Sequence, residues 1–164
     1  MLPEKTGLAR ATDNSGFVTL TFRDEKANGP RPIVKRVTRT WTATDASGNH
    51  ATCRQLLTIV DTQGPKIHRL AAVPASVTTG AGPFVTVQLE QIVEDSCSTQ
   101  AQVTRRLQVS VTDSAGLDHA NYFSVSGADK VLLRPKPGVV YTLTLTCSDF
   151  FGNATRRTIT VPVL

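Results

Sequence analysis

Val37–Asp61 reads VTRTWTATDASGNHATCRQLLTIVD, and Val139–Val163 reads VVYTLTLTCSDFFGNATRRTITVPV. Each stretch brings a strand of alternating apolar and polar residues into Asp-x-x-Gly-Asn and leaves by a second alternating strand. Alternation with period two marks a strand that buries one face. The turn follows from its residues. Asp45 and Asp149 can accept hydrogen bonds from the backbone just ahead of them, Gly48 and Gly152 can take positive φ, and Asn49 and Asn153 close the motif. A hairpin of this design written twice is an internal repeat, and its place at the end of each half predicts an all-β fold built as tandem β-sandwiches.

Working outward, the strongest boundary is Asp61-Thr-Gln-Gly-Pro65, where alternation stops and Gly-Pro ends the strand. It divides the chain into residues 1–62 and 63–164. In the second part, strands are expected at Lys66–Val73, Phe84–Val93, Val103–Val111, Tyr122–Val125, Val131–Arg134, Val139–Cys147 and Thr155–Val163. Strands of that number and spacing predict a complete immunoglobulin-like sandwich. Parity turns Tyr141, Leu143, Leu145 and Cys147 inward and Thr142, Thr144 and Thr146 outward. Superposing the two turns places Trp41 with Leu145, which makes Trp41 a core residue, with a surface aromatic gripping sugar as the functional alternative. The first part offers about four strands, among them Phe17–Phe22, Ile33–Thr44 and the closing strand after Asn49. That is too few to close a sandwich, so the first module is expected to be incomplete at its N-terminus. Either an excision passes through it, as Met1 set directly on Leu2-Pro3-Glu4 suggests, or a neighbouring chain donates a strand.

The 164 residues are 40% hydrophobic, carry a net charge of +5 and contain one Met and one Trp. No apolar run reaches the roughly 18 residues that would span a bilayer. The positive charges are scattered rather than run together, and no aromatic residues interleave with them, so a specific nucleic-acid partner is not expected.

Arg39-Thr-Trp-Thr-Ala-Thr-Asp-Ala-Ser-Gly-Asn49, with Ala51-Thr-Cys53 and Thr58-Ile-Val-Asp-Thr62, resembles the hyalin-repeat (HYR)-like modules of large secreted bacterial surface proteins. Ala11-Thr-Asp-Asn-Ser-Gly16 and Val18-Thr-Leu-Thr-Phe22 resemble the preceding part of the same module. The second half is similar to the Ig-like module that often follows such repeats. The resemblance implies an extracellular, non-catalytic protein built from repeats. This chain departs from it at Ser15 and Ser47, where such repeats commonly carry Cys. That leaves Cys53 without its usual partners, either as a free core thiol or as half of a bridge to sequence lying elsewhere.

Three cysteines cannot all pair within one chain. Cys97 and Cys147 fall in the second module, where a bridge closing a loop of about 50 residues is worth about 4 kcal/mol in the chain-entropy model. Two buried thiols are the alternative. Asp45, Asp61, Asp95 and Asp149, with Glu94 beside them, are the calcium candidates, since carboxylates at the ends of tandem sandwiches can bind that ion. Bonding to their own turns is the plainer role for Asp45 and Asp149. His50, His68 and His119 show no ligand spacing, no Cys-x-x-Cys occurs, and no catalytic motif is present. No cofactor is expected.

These readings converge on a non-catalytic structural or adhesive segment of an extracellular or cell-surface protein, with neighbouring modules or other protein chains as partners. The alternatives are a polysaccharide-binding accessory module and a filament subunit assembled by strand donation into the first module.

Overall fold

The computed structural model describes residues 2–14, 16–112 and 120–164. Ser15 and His119 lie outside the described residues. The chain divides into two units, Met1–Asp61 and Thr62–Leu164, one residue before the expected boundary. The regular secondary structure of the described residues is nearly all strand, arranged in antiparallel sheets. No helix among them is long and apolar enough to cross a membrane.

The first unit is a single sheet of three strands, β1 (Val18–Asn28), β2 (Ile33–Asp45) and β3 (His50–Val60), in the order β1-β2-β3. Three strands form where about four were expected. The residues before β1 supply one short helix, α1 (Pro3–Thr6), and irregular chain, because they lack the alternation that would bury one face. Along β2, Val37, Arg39 and Trp41 are buried, while Thr38, Thr40, Thr42 and Thr44 occupy the opposite face. β1 runs six residues beyond the expected end at Phe22, through the charged stretch Arg23-Asp-Glu-Lys26. The register explains why: Asp24 stands opposite Arg39, so a charge that reads as a strand stop has a partner across the ladder.

The second unit has two sheets. β4 (Lys66–Val73), β5 (Val85–Glu94), β8 (Lys130–Leu133) and β7 (Phe123–Val125) form one in the order β4-β5-β8-β7. β10 (Ala154–Pro162), β9 (Val140–Ser148) and β6 (Thr104–Thr112) form the other in the order β10-β9-β6. Lettered in chain order, these are the ABED and CFG sheets of a constant-type immunoglobulin sandwich. The parity expectation holds: Tyr141, Leu143, Leu145 and Cys147 are each 0% exposed. They pack with Val87, Leu89, Val131, Leu133 and Val161 in one core, and each fully buried aliphatic side chain contributes about 1.5–3 kcal/mol.

Two further devices join the sheets of this unit. After β4 the chain crosses to the other sheet, and Val77 bridges Val163 in parallel. Val77 N donates to Pro162 O at 3.0 Å, Thr79 N to Leu164 O at 2.9 Å and Leu164 N to Val77 O at 2.8 Å. The Arg157 guanidinium donates to the carbonyls of Ile67 and His68 at 2.9 and 3.0 Å, so β10 also holds the start of β4.

At the corner between β8 and β9, the Tyr141 hydroxyl donates to Arg134 O and lies 3.2 Å from Tyr122 O, in the manner of the tyrosine corner of such sandwiches. Burial pushes its phenol pKa from 10.0 up to about 12, opposed in part by the hydrogen bond to Arg134. Tyr141→Phe should therefore lower stability by about 1–3 kcal/mol, the cost of leaving a buried carbonyl without its donor; an unchanged urea midpoint would refute this. Because the folded pKa is the higher one, the contribution from Tyr141 is complete below pH 10 and is lost as the pH rises toward about 12. Ultraviolet titration of the phenolate, compared between the wild type and Tyr141→Phe, measures this directly.

Candidate functional site

The twin turns fold alike. In the first, Asp45 Oδ1 accepts from the backbone N–H of Ser47 and Asn49, both at 2.9 Å, and Oδ2 accepts from Asn49 Nδ2 at 2.8 Å. In the second, Asp149 Oδ1 accepts from the N–H groups of Phe151, Gly152 and Asn153 at 2.8, 2.6 and 2.9 Å, and Oδ2 from Asn153 Nδ2 at 2.9 Å. Asp45 N donates to Asn49 O and Asp149 N to Asn153 O, each at 3.0 Å. Gly48 and Gly152 sit at φ 87° and 101°, a region other L-residues resist. These hydrogen bonds hold the Asp45 carboxyl below its usual pKa, with the Asn49 side chain the largest cause.

The second unit gathers a loop around its turn. Asp95 Oδ1 accepts from Cys97 N at 2.9 Å and Ser98 N at 2.6 Å, and Ser98 Oγ in turn accepts from Phe150 N at 3.2 Å. The loop after β5 and the turn between β9 and β10 are thereby tied together, with carboxylate oxygens of Asp95 and Asp149 within 4.8 Å of each other. Beside them is a cleft of about 200 Å³ lined by Gln63, Gly64, Lys66, Glu94, Asp95 and Ser96. Carboxylate oxygens are the hard donors that a calcium ion takes. Oδ1 of Asp95 and Oδ1 of Asp149 each already receives backbone donors from its own loop. Asp45 belongs to the turn of the first unit, and Asp61, also buried, is that unit's last residue.

The inner face of the first unit is built around an arginine. Arg39 is 0% exposed. Its Nε and Nη2 donate to the two carboxylate oxygens of Asp24 at 2.7 and 2.8 Å, a bidentate pair. Its Nη1 donates to Thr6 Oγ1 at 3.0 Å, and its guanidinium carbon stands 4.4 Å from the Phe22 ring centroid and 5.7 Å from that of Trp41. Trp41 Nε1 donates to Gln55 Oε1, and Gln55 Nε2 donates to the carbonyl of Thr6. The segment through α1 thus lies over the β2 stripe. A cleft of about 140 Å³ remains between Ala9–Ala11 and Leu20, Trp41, Ala43, Ala51 and Cys53. Trp41 is a core residue, 6% exposed, as its parity predicted. Sequence reading missed Arg39. The available signal was its position between Val37 and Trp41 on the inward register.

The cysteines are all free thiols: Cys53 and Cys97 exposed, Cys147 buried. The bridge expected between Cys97 and Cys147 is not formed, since Cys97 faces solvent in the loop after β5 while Cys147 is sealed in the core. Burial pushes the Cys147 thiol pKa up, with Arg105 opposing. His50 is exposed on β3, and His68 Nε2 lies 3.3 Å from Glu94 Oε2. Phe150 and Phe151 meet edge to face at 88°, which is no coplanar platform for a sugar ring. No protein-family model matches the chain, and no curated protein matches it.

Two tests follow from this geometry. Asp149→Ala strips a buried carboxylate from three backbone donors and should cost about 2–3 kcal/mol. Asp45→Ala, at a more exposed turn with fewer such bonds, should cost less; equal losses in urea denaturation would contradict the ranking. The hydrogen bond from Arg39 holds the Asp24 carboxyl below its ordinary 3.8. A lowered folded pKa means that the stability from this pair is complete above pH 3.8 and is lost as the pH falls through the folded value. Acid titration followed by Trp41 fluorescence should show the first unit loosening in that window, and Asp24→Asn should remove the pH dependence.

Proposed function

We propose that this chain is a non-catalytic structural or adhesive segment of an extracellular or cell-surface protein, acting as a spacer or cohesive unit in an array of modules. The observation that carries this reading is the duplicated closing hairpin, in whose two turns the Asp carboxylate accepts from the backbone and the side-chain amide of the Asn four residues on, a construction suited to repeat-built proteins. The buried ionisable groups support it. Arg39 and Asp24 are spent on each other, and Asp149 is spent on its own turn, rather than being poised toward a cleft.

Strand donation is the second reading, favoured by a specific feature of the first unit. Among the described residues, β1 and β3 each pair only with β2, so both flanks of that sheet present unpaired backbone groups over eleven residues. An extended segment from another copy could add to either flank.

Light scattering coupled to size exclusion, run over a range of chain concentrations, separates the two. A monomer at every concentration fits the spacer. Growth of ordered oligomers with concentration, abolished by a proline placed at Arg54 on β3, would replace it with strand donation.

A further inference from the structure

The outward face of the β10-β9-β6 sheet has no role in the core, and its composition is unusual. Antiparallel register places Arg106 of β6 and Arg156 of β10 on one cross-strand row, with Thr146 of β9 between them. At the usual strand spacing their Cα atoms are about 10 Å apart. Both arginines are exposed. The other outward positions are Thr, Ser, Gln, Ala, Val and Pro, with no Asp or Glu among them. The neighbouring row continues the hydroxyls, with Thr144 and Thr158 joined Oγ1 to Oγ1 at 3.1 Å.

Other arginines of this unit are engaged. Arg69 pairs with Glu90, Arg105 donates to Gln100, Arg157 donates to two carbonyls, and Arg134 covers the Phe84 ring. The side chains of Arg106 and Arg156 make no hydrogen bond or ion pair among the described residues, so their guanidinium donors remain available. The first unit repeats the device, with Thr40 flanked by Arg23 and Arg54 on one row, although Glu25 stands on the next. The acid-free face of the second unit is therefore the stronger of the two.

We propose that this face binds anionic polysaccharide, with Arg106 and Arg156 gripping successive sulfate or carboxylate groups and the threonine hydroxyls meeting the sugar hydroxyls between them. A guanidinium presents paired donors to such an oxyanion. A flat row of hydroxyls flanked by two cations suits an extended, hydroxylated, charged chain. Single-stranded nucleic acid would need aromatic residues for its bases to stack on, and this face has none. An anionic membrane surface calls for clusters of four to eight cations, and here there are two. The proposal concerns a face that strand donation into the first unit does not use, so either can fail without the other.

The test is affinity electrophoresis and calorimetry on the whole chain, with dextran sulfate, polygalacturonate and neutral dextran as probes. Binding to one or both acidic polymers, weakened by added salt, and none to neutral dextran is expected. Arg106→Gln and Arg156→Gln should each weaken binding about five- to tenfold, whereas Arg69→Gln, which alters a partnered arginine elsewhere, should leave it unchanged. The polymer that binds identifies whether the anion is sulfate or carboxylate. The substituted side chains face solvent, and circular dichroism confirms that the variants remain folded. Absence of binding to both acidic polymers overturns the proposal, as does binding that survives the double Arg106→Gln, Arg156→Gln variant. Equal binding to duplex DNA or phosphatidylserine vesicles at matched charge also overturns it, since the attraction would then be plain charge without recognition of sugar.

Discussion

Asp149 fixes the register of β9 against β10 by accepting three backbone N–H groups on one carboxylate oxygen, and the second unit follows from that register. Side chains alternate with period two, so a slip of one residue would turn Leu143, Leu145 and Cys147 to solvent and bring threonines into the core. The carboxylate therefore selects which face is inner, and the hydrophobic core then stabilises that choice. The same arrangement at Asp45 sets β2 against β3, opposing Trp41 to Cys53 and Arg39 to Gln55.

What the two registers deliver differs. The second unit closes two sheets over a largely apolar interior, in which the Tyr141 hydroxyl is matched to a backbone acceptor. The first unit has one sheet, and its most buried side chain is a charged one. Arg39 is tolerable there because Asp24, Thr6 and two aromatic rings together satisfy its donors and its charge. Lysine could supply the charge but not the planar fork that meets both carboxylate oxygens.

Much of this was legible in the sequence, for reasons that can be stated. Alternation and turn chemistry are local, so β4 is found at the residues expected for it, and the inward set of β9 is the one its parity indicated. Pairing across strands is not local. β1 was expected to end at Phe22, yet it continues through the charged Arg23-Asp-Glu-Lys26, where Asp24 meets Arg39 across the ladder. The expected bridge failed for a related reason. Sequence places Cys97 and Cys147 in one module, but only the fold shows that one thiol faces water and the other is enclosed. The convergence of Asp95 with Asp149 and the row formed by Arg106 and Arg156 likewise depend on the sheets being assembled.

The crossing of the chain after β4 has a mechanical consequence. Val77–Thr79 lies near the beginning of the second unit and runs parallel to the segment at the end of β10. Tension applied through Thr62 and Leu164 would draw these two segments in opposite directions along their shared axis, loading the hydrogen bonds among Val77, Thr79, Pro162 and Leu164 together. An antiparallel hairpin pulled from its open end yields one bond after another. A parallel pair pulled from opposite ends must break several at once, so the unit meets stretching with its stiffest geometry in the line of the load.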